Sequence, residues 1–263
     1  METSEITVSI GGVKLGPGQK ILIQSMCNVS TLDTGACVEQ CIRIFEAGGG
    51  LARLTVRNLE EAENLFNIRQ ELNRRGFNQP LSADVHFNPA IALRSVPLVE
   101  KVRINPGNFE KGKPGNRFGE LIKACREHGT ALRIGVNHGS LSERIMETFG
   151  DTPEGMVESA MEYLRFCHKA RFTNVLVSLK SSNTRIMVYS NRLMDRRMKE
   201  EGLVYPLHLG VTEAGDGENG RIRSAVGIGT LLGEGLGNTL RVSLTEAPEC
   251  EIPVAEKLLE ATC

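Results

Sequence analysis

Eight short apolar runs, each followed by a longer stretch of helical periodicity, leave this chain few folds to choose from. The runs are Ile21–Met26, Leu51–Val56, Leu81–Asp84, Lys101–Ile104, Ala131–Gly135, Val175–Lys180, Leu207–Val211 and Thr239–Leu244. Apolar residues recur at three and four over Thr34–Ala47, Leu59–Arg75, Arg117–His128, Pro153–Lys169, Arg185–Glu201, Ser224–Glu234 and Ile252–Ala261. In the short unit after Asp84, Asn88 is placed to cap a helix that Pro89 opens. Strand–helix alternation builds a parallel sheet, and eight units without a linker favour closure into a (β/α)8 TIM barrel over an open doubly wound sheet. The length of 263 residues suits one such domain spanning the chain, with an N-terminal β-hairpin, Ile6–Ile10 and Val13–Leu15, turning at Gly11-Gly12.

The charge balance removes several function classes. Lys and Arg total 31 against 32 Asp and Glu, so no overall positive field draws the chain to nucleic acid or anionic lipid. No apolar run approaches a membrane span, and Met1–Glu5 lacks a signal-peptide layout, which points to a cytoplasmic protein. Seven scattered cysteines without a Cys-x-x-Cys pair argue for reduced thiols and against a metal site in this segment. Cys37 and Cys41 lie one helical turn apart, but Ile44 stands where a radical-type cluster motif needs its third cysteine, so both read as core residues.

Barrels of this kind react at the C-terminal ends of their strands. Polar residues gather there: Gln24 and Ser25, Arg53 and Arg57, Asp84 and His86, Arg103 and Asn105, Arg133, Asn137 and His138, Ser178 and Lys180, Thr212 and Glu213, Arg241 and Ser243. Arg53, Arg103, Arg133 and Arg241 sit inside apolar runs, and a buried guanidinium requires an anion. Two sources are open: a ligand with several phosphoryl oxygens, which planar charged forks on different strands would suit, or internal neutralisation by Asp84 and Glu213. His86 and His208 stand at strand ends, where contact with a ligand or proton transfer competes with a structural role. Asn105-Pro106-Gly107-Asn108 could offer amides to a phosphate or be a plain turn, and Gly227–Gly233 lacks dinucleotide-binding spacing.

Several segments in order resemble the hydroxymethylbutenyl diphosphate synthase family. They are Gln24-Ser25-Met26, Ala83-Asp84-Val85-His86-Phe87, Val102–Asn108, Arg133–Ser140, His208–Gly215 and Leu240–Leu244. The stretch Glu213–Arg221 is similar to the large, three-domain form of that family. The resemblance implies reductive opening of 2-C-methyl-D-erythritol 2,4-cyclodiphosphate to 4-hydroxy-3-methylbut-2-enyl diphosphate, in non-mevalonate isoprenoid synthesis. It also implies a 4Fe-4S cluster held by three Cys and a Glu in a C-terminal iron–sulfur domain absent from this chain, with ferredoxin or flavodoxin as electron donor. On that reading this chain binds substrate, carries no cofactor and is inactive alone.

Carried over position by position, Arg53, Arg103, Asn105, Arg133, Asn137, Lys180, Arg241 and Ser243 bind substrate, while Glu213, Asp84 and His86 form the catalytic set. Arg57 has no family counterpart. Cys27, where Thr is usual, and Gly48-Gly49-Gly50, where a Gly-Ala-Asp-like turn is usual, are expected to loosen the first two units. The segment Lys111–Arg117 is shorter than in the large form. A cluster-independent enzyme of the dihydropteroate synthase kind is the alternative, and a non-enzymatic scaffold is disfavoured by the arginine-bearing strands.

Overall fold

The eight apolar runs form one parallel sheet that closes on itself. In the computed structural model, residues 6–110 and 112–262 are described; Met1–Glu5, with the leader reading that rests on them, Lys111 and Cys263 lie outside. Strands β1 (Val8–Ile10) and β2 (Val13–Leu15) make the hairpin. The barrel comprises β3 (Leu22–Met26), β4 (Leu51–Val56), β5 (Leu81–Val85), β6 (Lys101–Ile104), β7 (Ala131–Asn137), β8 (Val175–Lys180), β9 (His208–Leu209) and β10 (Thr239–Leu240). Their order is β8-β7-β6-β5-β4-β3-β10-β9. A parallel bridge between Val177 and Leu207, with the Val177 amide donating to the Pro206 carbonyl at 3.0 Å, joins the two ends of that order.

The hairpin is a plug. Val8, Ile10 and Leu15 pack with Leu22, Leu51, Ala131 and Leu176, which lie at or next to the first residues of four strands. Gly11 and Gly12 both take positive φ (53° and 87°), as a tight turn matched to strand twist requires. The N-terminal end of the barrel is thereby covered, leaving polar chemistry to the other end.

Helices α1 (Thr34–Glu46), α2 (Leu59–Arg74), α3 (Pro89–Ser95), α4 (Pro106–Phe109), α5 (Asn116–His128), α6 (Glu143–Phe149), α7 (Pro153–Lys169), α8 (Thr184–Glu201), α9 (Gly217–Ser224), α10 (Thr230–Gly233) and α11 (Glu251–Thr262) connect the strands. Side chains of Asp33, Asn58, Asn88, Thr152 and Asn183 accept from first-turn amides of α1, α2, α3, α7 and α8, setting where each begins.

The regular ladder in β9 and β10 ends at Leu209 and Leu240, short of the expected Val211 and Leu244, and pairing resumes only at an isolated parallel bridge between Gly215 and Leu244. The helix expected from Ser224 begins at Gly217 and runs into α10 through a π-turn at Ala225–Gly229. The first two units are not loosened. The Gly49 and Gly50 amides donate to the Ile44 and Ile23 carbonyls at 2.9 Å each, and a Cβ on Gly49 would lie 2.8 Å from the Ile44 carbonyl oxygen. Cys27 is buried with its Sγ 3.6 Å from that of Cys41. Cys37 and Cys41 are core residues, as expected; burial pushes the Cys37 thiol up to about 12, far from thiolate reactivity.

Candidate functional site

At the C-terminal mouth of the barrel lies a cavity of about 240 Å³ whose walls come from all eight barrel strands or the residues just after them. β4, β6, β7, β8 and the end of β10 contribute Arg53, Arg103, Arg133, Lys180 and Arg241. Asp84, His86, Asn137 and Ser243 from the expected set line it too, with Met26, Ser178 and Thr212. The cations converge because each occupies an inward-facing position on or just after its strand, and strand tilt brings these positions round one axis.

Two carboxylates hold part of this charge. Asp84 is 1% exposed; its Oδ2 lies 3.1 Å from Arg53 Nη2 and its Oδ1 accepts from Arg103 Nη1 at 3.0 Å. Burial alone would raise the Asp84 carboxyl, but the guanidiniums of Arg53 and Arg103, with His86 and Arg133 behind them, hold it well below the usual carboxylate range. Asp84 is therefore an anionic clamp and no store of protons at neutral pH. Arg103 also donates to the Gly135 carbonyl at 2.8 Å, over a residue whose Cβ would strike the Arg103 Nε.

Glu251, the first residue of α11, is the second clamp. Its carboxylate accepts from Arg241 Nε at 2.9 Å and Nη2 at 2.8 Å, from Ser25 Oγ at 2.6 Å and from the Leu244 amide at 3.1 Å. Internal neutralisation thus comes from Asp84 and Glu251. Glu213 takes no part: it is exposed, in the left-handed region (φ 51°), on the loop after β9 and outside the cavity lining.

The remaining cations are uncompensated. Among the described residues neither Arg133 nor Lys180 has a carboxylate partner. Arg133, 1% exposed, donates through Nη1 to Ser178 Oγ at 3.3 Å, while its Nε meets no acceptor. Burial, then the surrounding arginines, push both side chains well below their ordinary values. Burial likewise lowers Arg53 to about 10, with Asp84 opposing, so Arg53 keeps its charge at neutral pH. Burial also lowers the His86 imidazole, although Asp84 Oδ2 lies 3.5 Å from its Nε2.

Asn105 is spent elsewhere: its Oδ1 accepts from the Gly107 amide at 3.1 Å and its Nδ2 donates to Ser140 Oγ at 2.8 Å, tying two rim loops together. That bond also occupies the Gly107 amide considered above for a phosphate. Arg57 lies outside the cavity lining and pairs with the buried Glu61 at 2.9 Å. Lys101, which sequence reasoning passed over, is fully buried one layer below the cavity with Gln24 and His208. Its signal was available, since Lys101 stands two residues before Arg103 on a strand buried throughout. Glu251 had none, because it lies on the last helix, far along the chain from Ser25 and outside any strand.

Fold and site together define a closed β/α barrel with a cation-lined C-terminal mouth. The family profile of the GcpE TIM-barrel domain matches residues 5–256, and the chain belongs to that family. It is 55% identical to the 4-hydroxy-3-methylbut-2-en-1-yl diphosphate synthase (flavodoxin) of Bacteroides thetaiotaomicron, over 98% of this chain and 45% of the relative. It is 50% identical to the ferredoxin form from Synechococcus sp. (strain CC9605), over 97% of this chain and 69% of that protein. The chain thus spans less than half the length of its Bacteroides relative. Among solved structures, Yersinia pestis dihydropteroate synthase superposes with a TM-score of 0.64 at 12% identity, covering 97% of this chain and all of that one. A truncated 3-deoxy-D-arabino-heptulosonate 7-phosphate synthase from Thermotoga maritima gives 0.62 at 10%, covering 99% and 91%. These last two show shared fold alone, and the dihydropteroate synthase alternative is set aside in favour of the matched family.

Proposed function

We propose that this chain is the substrate-binding barrel of a cytoplasmic 4-hydroxy-3-methylbut-2-en-1-yl diphosphate synthase, and that its mouth grips 2-C-methyl-D-erythritol 2,4-cyclodiphosphate. The observation that carries this is the pair Arg133 and Lys180, buried cations without carboxylate partners in a cavity where two other carboxylates are already committed. A diphosphate supplies the missing charge, with oxygens enough for several forks.

Arg53, Arg103, Arg133, Lys180, Arg241 and Ser243 hold the phosphoryl oxygens in this reading. Asn137 and His86 face the carbon skeleton from the same cavity. Asp84 acts through Arg53 and Arg103 by fixing their forks, and Asn105 acts through the rim loops it joins. Glu213 would reach substrate only by movement of its strained loop. The binding energy orients the ring for reductive opening, with loss of water and uptake of two electrons from a flavodoxin or ferredoxin. A 4Fe-4S cluster, when bound in the whole enzyme, supplies that electron transfer. Among the described residues no three His, Cys, Asp or Glu side chains come together as a metal site, so these residues do not fit as its ligands. No helix among them is long and apolar enough to cross a membrane.

Calorimetric titration of the chain with the cyclodiphosphate tests the proposal. Saturable binding is expected, weakened about 10- to 100-fold in Arg133→Ala, as loss of a charged hydrogen-bonding contact of ~1.5–3 kcal/mol requires. No saturable affinity, or an unchanged Arg133→Ala, would overturn it.

A further inference from the structure

Directly beneath the cavity the barrel interior is polar, where such barrels are ordinarily filled by branched apolar side chains. Gln24, Lys101, His208 and Thr239 stand two residues before Met26, Arg103, Gly210 and Arg241. The strand period of two therefore makes them face the same interior, roughly 7 Å lower. Each is at most 1% exposed. Gln24 joins the others. Its Oε1 accepts from Lys101 Nζ at 3.0 Å, while its Nε2 donates to Thr239 Oγ1 at 2.7 Å and lies 2.9 Å from His208 Nδ1.

An amide has one accepting end and one donating end. With the carbonyl toward a Lys101 ammonium, the NH2 group faces His208 Nδ1, which must then offer a lone pair. His208 is neutral in that arrangement and carries its proton on Nε2, a buried nitrogen that meets no partner. Turned over, the amide gives its carbonyl to a protonated Nδ1 and its NH2 group to Lys101, which must then be a neutral amine. The Thr239 hydroxyl serves both arrangements, accepting in the first and donating in the second.

We infer that Lys101, Gln24 and His208 hold a single proton between them, a buried store one layer under the cation-lined cavity, with the Gln24 amide making its two positions mutually exclusive. The surrounding charge acts in the same direction. Lys101 faces Arg133 of β7 and Arg53 of β4, opposed by Asp84 of β5; burial, then those two guanidiniums, push its amine well below its ordinary value. His208 faces Lys180 of β8, then Arg133, Lys101 and Arg53, and burial with these cations pushes its imidazole well below its own. Two protonated ends are thus disfavoured in one dry layer. The hairpin plugs the other end of the barrel, so the outlet assigned to the store is the cavity above it.

Expulsion of water from a substrate hydroxyl consumes a proton at the site. The use assigned to the store rests on the proposed reaction in that respect alone. A proton passed upward leaves both ends neutral, and solvent returns it through the cavity once product departs.

Nitrogen-15 NMR of the His208 ring, titrated in the ligand-free 263-residue chain, tests the shared proton. The wild-type ring is expected as the Nε2–H tautomer. Lys101→Met removes the competing cation and frees the amide to turn, so the His208 pKa should rise by about one unit or more, a tenfold gain in proton affinity. Gln24→Glu places a carboxylate that accepts from both ends and should raise it as well; this variant decides the matter alone if Lys101→Met does not fold. An Nδ1–H tautomer in the wild type, or a His208 unmoved by these changes, overturns the inference. Inorganic pyrophosphate added afterwards reads the other proposal separately: a ring that shifts in the variants but a chain that ignores pyrophosphate keeps the shared proton and removes the anion site.

Discussion

Replacing Asp84 by Asn should expose how much of the barrel's stability is spent on concentrating positive charge. The substitution keeps the shape and one accepting oxygen but removes the charge that holds Arg53 at 3.1 Å and Arg103 at 3.0 Å. Removing one partner of a buried ion pair costs about 3–5 kcal/mol, because the other charge stays buried and unpaired. Asn still accepts one hydrogen bond, which sets the expectation near the lower figure, about 3 kcal/mol. For a chain of this size each kcal/mol moves the midpoint by roughly 2–4 °C, so thermal unfolding should fall by about 6–12 °C.

Two controls separate this cause from general damage. The carboxyl is held well below its usual range in the folded state, so its contribution is fully present above the unfolded carboxylate value near ~4 and is lost as pH falls below it. The gap between wild type and Asp84→Asn should accordingly be widest at neutral pH and close in acid. Inorganic pyrophosphate, supplying anionic oxygens to the same forks, should raise the variant's midpoint more than the wild type's; at one hundred times the dissociation constant a ligand adds about 2.7 kcal/mol. A calorimetric midpoint within about a degree of wild type at neutral pH, or a gap that widens in acid, would refute the reasoning.

Gly135→Ala should disable the site through the backbone, since the new Cβ meets Arg103 Nε and must drive that guanidinium from both Asp84 and the Gly135 carbonyl. Pyrophosphate affinity by titration calorimetry should drop about tenfold with the far-UV circular dichroism spectrum retained, as loss of a charged contact implies. Glu251→Gln removes a carboxylate that accepts four hydrogen bonds and anchors α11. Stability should fall by about 2–4 kcal/mol in urea unfolding, and a fall under ~0.5 kcal/mol would mean that Arg241 finds another anion at no cost.

The barrel was legible because its determinants are local and repeated. Short apolar runs and period-3.6 stretches alternate along the chain, so every strand can be placed from its own residues, although the ends of β7, β9 and β10 are set by their neighbours. The cation cluster was legible for a related reason, since an arginine inside an apolar run such as Leu132-Arg133-Ile134 faces inward whatever its neighbours do. What escaped was pairing. Neutralisation of the arginines by Asp84 was one of two readings left open, but which two it would pair, 31 and 19 positions away, is fixed only by the register of β4, β5 and β6. Glu251 was invisible as a site residue because its link to Arg241 and Ser25 depends on how the start of the last helix packs against the strand ends. Glu213, in a motif-like stretch, was assigned by likeness alone, and the fold leaves it exposed outside the cavity.

These placements suggest why the site has its layered form. Five cations at one mouth repel each other strongly at the low effective dielectric of a barrel interior, so the free protein needs counter-charge to fold and the loaded protein needs charge left over to bind. Asp84 and Glu251 meet the first need, Asp84 fixing Arg53 and Arg103 and Glu251 fixing Arg241. On the proposed function, Arg133 and Lys180, without carboxylate partners among the described residues, meet the second. A carboxylate added beside Arg133 would stabilise the empty barrel and weaken the grip on a polyanion. The exposed Glu213 therefore adds less counter-charge from its loop than it would from within the cavity, and the deeper Lys101 and His208 are limited to one proton so that the layer below does not add to the repulsion above.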